Sequence, residues 1–86
     1  MTTSNPCTYV SSCKGYPTET LVNVVRSAYD AAQAYVHEFL HGYTLISCNY
    51  RMVQETEKYG LHTLYKALAI NLDTQDAEFI WVRDLT

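Results

Sequence analysis

The sequence predicts an α+β domain in which one long amphipathic helix packs on a three-stranded antiparallel sheet. Three observations predict it. Leu21, Val25, Ala28, Ala32, Tyr35, Phe39 and Leu40 recur at helical spacing, and Gly42 follows as a stop. Over residues 46–52 the apolar–polar period switches to two, the period of a half-buried strand. Near its end the chain carries Phe79-Ile80-Trp81-Val82, a run of bulky strand formers. A mostly helical small domain with a terminal strand is the alternative.

Each element follows in order. Residues 1–16 are rich in Ser, Thr and Asn and hold Pro6 and Gly15. They read as an arm or loop, with a short extended piece at Thr8-Tyr9-Val10. Thr18 fits a helix N-cap, and Glu19 suits the positive end of the helix dipole. The helix is expected over residues 18–41. Its polar stripe carries Asn23, Arg26, Asp30, Gln33, His37 and His41. An antiparallel meander is expected over residues 43–86: a strand around 46–52, a hairpin connection over 55–60 and a last strand over 77–84. Residues 61–72 fit a helix through Leu61, Leu64, Leu68 and Leu72, yet a returning strand pairs more naturally with its predecessor. Asp73-Thr74-Gln75-Asp76 is a turn.

Composition narrows the function classes. The chain of 86 residues is one domain, 1–86, and 48% hydrophobic residues with only two prolines mark a folded chain. The net charge of −3, with no cluster of Lys and Arg, argues against direct nucleic-acid binding. No apolar run has membrane-spanning length and no export signal is evident, so no membrane partner and a cytoplasmic location are expected. Three cysteines, an odd count, fit thiols in a reducing compartment.

One short motif suggests chemistry. His37-Glu38-Phe39-Leu40-His41 matches HExxH. On a helix, histidines at i and i+4 share a face and can hold one zinc ion, with the glutamate as general base. Over these five residues the chain resembles the zincin metalloproteases. That resemblance implies His37 and His41 as ligands and Glu38 as the base. A catalytic zinc needs a third protein ligand. Glu55 and Glu57 fall at the far end of the hairpin. Asp73, Asp76 or Glu78 returns toward the helix C-terminus and is the better choice. A structural site from Cys7, Cys13, His37 and His41 requires a taut chain. The non-functional alternative places both histidines in the last helical turn, where donors favour the exposed carbonyls.

The aromatic content points elsewhere. Eight tyrosines, one tryptophan and two phenylalanines are many for this length. On the last strand Phe79 and Trp81 point to one face, Ile80 and Val82 to the other. One helix covers one face only, so the second needs the N-terminal arm with Tyr9 and Tyr16, a second copy, or a partner protein. With Tyr65 and the acids Asp73, Asp76 and Glu78, Phe79 and Trp81 form the expected partner-binding set. The expected function is therefore a small acidic binding protein without catalysis or cofactor, acting on a protein partner or as a homodimer. Its size and charge are similar to those of inhibitors from phages and mobile elements, anti-CRISPR proteins among them. The alternative is a minimal zinc hydrolase.

Overall fold

A computed structural model describes residues 7–13 and 21–85. Five strands and one helix follow in the order β1 (Cys7–Cys13), β2 (Leu21–Val25), α1 (Ala28–Phe39), β3 (Tyr43–Thr56), β4 (Gly60–Asn71) and β5 (Ala77–Asp84). All strands join one antiparallel sheet in the order β2-β1-β5-β4-β3, curled into a half-barrel. This corrects the expected fold, one long helix on a three-stranded sheet. The C-terminal strands do pair in succession, but β1 and β2 extend the sheet beyond β5.

The correction has a local cause. Residues 21–25, read as helix, form β2, where Val22, Val24 and Val25 supply β-branched side chains that favour an extended backbone. Ser27 ends the strand region and caps the helix. Its backbone is extended, and its Oγ accepts from the Asp30 amide at 3.1 Å. Asp30 also places a carboxylate in the first turn. The expected cap at Thr18 lies outside the described residues. At the other end Leu40 closes the helix, donating its amide to the Val36 carbonyl at 3.0 Å. Gly42, at φ +85°, then turns the chain into β3. The expected arm is likewise replaced: residues 7–13 pair with both β2 and β5.

The helix lies over one sheet face, crossing from the β2 edge to the β3 edge. Its buried stripe is Ala28, Ala31, Ala32, Tyr35 and Val36. Facing it are Tyr9 and Cys13 on β1, Ile80 and Val82 on β5, Ala67 and Ala69 on β4, and Leu45 on β3. Alanines on both layers allow a close approach, and Tyr35, completely buried, fills the remaining depth beside Phe39 with ring centroids 4.8 Å apart. Two irregularities in β3, between Leu45 and Ser47 and between Cys48 and Tyr50, shift its register and help bend this edge strand.

Candidate functional site

Strand register sorts every side chain of the sheet onto one face or the other. Ile80 and Val82 turn toward the helix, so Phe79, Trp81 and Arg83 turn away from it. Their partners on β4 are Leu68, Lys66 and Leu64, and Met52 on β3 lies opposite Leu64. The helix does not cover this second face; Val10, Leu64 and His62 are nonetheless buried on it around Arg83, so its open part is the stretch around Phe79 and Met52. Phe79 is 47% exposed and Met52 42% exposed. The expected cover by the N-terminal arm is not there for residues 7–13: Tyr9 is buried on the helix side, while Tyr16 is outside the described residues.

Cations and rings are interleaved along the open face. Lys66 Nζ stands 4.1 Å from the Phe79 ring centroid and 5.4 Å from that of Trp81. Toward the β3–β4 turn, the Tyr59 ring has Lys58 Nζ at 5.3 Å and the Arg83 guanidinium at 5.5 Å. Arg83 Nη1 donates to Gln54 Oε1 at 2.6 Å and to His62 Nε2 at 2.7 Å. A guanidinium only donates, so Nε2 of His62 accepts and carries no proton. Its Nδ1–H donates to the Gly60 carbonyl at 2.9 Å. His62 is buried, and these bonds anchor Arg83 at the edge of the apolar surface.

The acids are placed elsewhere. Glu55, Glu78 and Asp84 fall on the helix side by register, Asp30 and Glu38 are on the helix, and Asp73 and Asp76 are in the β4–β5 turn. The strands therefore put no carboxylate on the open face. Glu57, in the β3–β4 turn, is the nearest acid in sequence to Tyr59.

The other expected site residues are dispersed. Tyr65 is on the helix side, packed against the core. Glu78 is there too and accepts from the Cys13 thiol at 3.7 Å. Burial first, then the Glu78 charge and this hydrogen bond, push the Cys13 thiol up to about 11. Burial alone raises Cys48. Asp76 accepts from the Thr74 hydroxyl at 3.1 Å, and Asn71 Oδ1 caps the Asp73 and Thr74 amides, so this turn is held by its own side chains.

The HExxH residues are split by the end of the helix. His37 is exposed in its last turn, while His41 lies past the cap with Nε2 donating to the Glu38 carbonyl at 3.1 Å. Both line an open groove of about 560 Å³ with Asp30, Gln33 and Tyr43. The turn holding Asp73 and Asp76 does lie at this end of the molecule, since Asn71 pairs with Tyr43. Yet among the described residues no three His, Cys, Asp or Glu side chains are grouped to hold a metal ion. Cys13, one arm of the alternative four-ligand set, is buried against Glu78.

Lys66, Arg83, Tyr59, His62 and Met52 were not legible as site residues, although His62, Leu64, Lys66 and Leu68 share the period-two face of a strand once residues 60–71 are read as extended. No family description, curated protein or solved structure matches the chain, so its own residues carry the functional reading.

Proposed function

We propose that this chain is a non-catalytic protein-binding module whose contact surface is the open face of the sheet. The observation that carries the reading is the placement of Phe79 and Trp81 on the face turned away from the helix, with Phe79 half exposed. Aromatic side chains at the centre of a flat surface are the usual anchors of protein interfaces, because they bury a large area at low entropic cost. The molecule measures 40 × 36 × 21 Å, and its broad side can supply the roughly 800 Å² per partner of a standard interface. Such a module works by occupying a partner's surface, which is also how a small inhibitor acts.

The test compares Phe79→Ser with Gln33→Ala, a change on the exposed side of the helix, in affinity capture from the native host. A specific partner should be retained by the wild type and by Gln33→Ala, and lost with Phe79→Ser while the fold, read by circular dichroism, is intact. A partner held equally by all three proteins would refute the open face as the contact surface.

A further inference from the structure

We infer that the open face takes an acidic protein segment, one that sets carboxylates on Lys66 and Arg83 and apolar side chains on the Phe79–Trp81–Met52 surface. This rests on the binding-module reading above and adds the chemistry of the partner.

Three observations carry it. The first is charge segregation. The chain has net charge −3, yet the strands direct Lys66 and Arg83 to this face and every strand carboxylate to the other. Among the described residues neither cation has a carboxylate partner; Lys66 rests on rings, and Arg83 on an amide and an imidazole. Cations without counter-charges on an otherwise acidic protein are complementary to an incoming anion.

The second is the way the rings are used. Cations already stand over Phe79, Trp81 and Tyr59, at 4.1 to 5.5 Å from the centroids. The surface therefore offers ammonium and guanidinium groups backed by aromatic rings, rather than bare ring faces on which bases stack. A carboxylate meets such a group directly. A long polyanion would in addition face the repulsion of the net negative charge.

The third concerns self-association. A two-fold pairing of this face on itself would bring Lys66 and Arg83 of both copies into one interface with no strand carboxylate to neutralise them. Like charges buried together oppose that arrangement. Beside Lys66 a recess of about 250 Å³, lined by Ser47, Asn49, Leu68 and Phe79, provides space for one apolar side chain of the segment.

The experiment uses the full chain and an immobilised array of short peptides with constant apolar content and acidic, neutral or basic polar positions, plus a single-stranded oligouridine. Binding should concentrate on the acidic peptides. Lys66→Met, which keeps the aliphatic stem but not the charge, should weaken it about three- to tenfold, the loss of one charge-assisted contact. Phe79→Ser should weaken all binding. Equal binding of acidic and neutral peptides, unchanged by Lys66→Met but lost with Phe79→Ser, overturns the acidic partner and leaves the open-face module standing. Preference for oligouridine, or self-association of the chain in sedimentation that is abolished by Phe79→Ser, also overturns it. Binding to no peptide overturns both readings.

Discussion

Ala69→Leu tests the close seating of the helix on the sheet. Ala69 is completely buried, pairs with Leu45 on one side and Glu78 on the other, and belongs to the cluster that contains Ala31, Ala32 and Tyr35. Neither the groove near His37 nor the recess near Lys66 is lined by it. At this completely buried position an isobutyl group in place of the methyl must displace the helix or force side chains off their rotamers. Overpacking of this kind costs about 1–3 kcal/mol. A chain of this length has a total stability of roughly 4–13 kcal/mol, so the change removes a large share of it. At about 4–8 °C per kcal/mol for a domain of this size, Tm should fall by about 4–24 °C. The assay is thermal and urea unfolding followed by circular dichroism, with Ala77→Leu, on an exposed position of β5, as control. The control should stay within about 0.5 kcal/mol of wild type. An Ala69→Leu protein as stable as the control would refute the close contact of the two layers.

Two further outcomes are expected. Burial and Glu78 raise the Cys13 thiol from its ordinary value of 9.0 to about 11. The folded state then holds a proton that the unfolded state loses, so stability is fully present below about pH 9 and falls as pH rises toward 11. Urea titrations across that window should show a slope that Cys13→Ala removes; the same slope in both proteins would reject the assignment. Gln75 is the described non-glycine residue with positive φ, 66°, in the turn before β5. Gln75→Gly should relieve that strain and raise stability by about 0.5–1 kcal/mol, read as a higher urea midpoint; a lower midpoint would show that the Gln75 conformation carries no net cost.

The parts of the fold that could be read in the sequence, and those that could not, differ for a physical reason. The strand at 77–84 is bulky, β-branched and aromatic, and a polar turn bounds it, so its period of two is plain. Residues 21–25 mislead because a spacing of four is even. Leu21 and Val25 share a face in a helix and in a strand alike, and Ala28 and Ala32 continue the spacing into the true helix. Three valines in five residues and the Ser27–Asp30 cap are the signals that separate the two. On β1 Tyr9, Val10, Ser11 and Cys13 are all buried, so both faces of the strand are covered and no alternation of apolar and polar residues marks it. At the candidate site, Phe79 and Trp81 are legible from β5 alone. Lys66 and Arg83 are not, because their common face depends on residues 61–72 being a strand.

The position of β5 bears on how the protein is made. Its last strand is the middle of the sheet, with β1 on one side and β4 on the other. On the ribosome, β1 and β2 emerge first and can form only an isolated hairpin, which is marginal in water. Their permanent neighbour is synthesised some seventy residues later. At roughly 5–20 residues per second, the β1 edge waits several seconds with unpaired backbone groups. The sheet therefore cannot close until β5 has left the exit tunnel, and up to that moment β1 presents one edge of unpaired backbone groups.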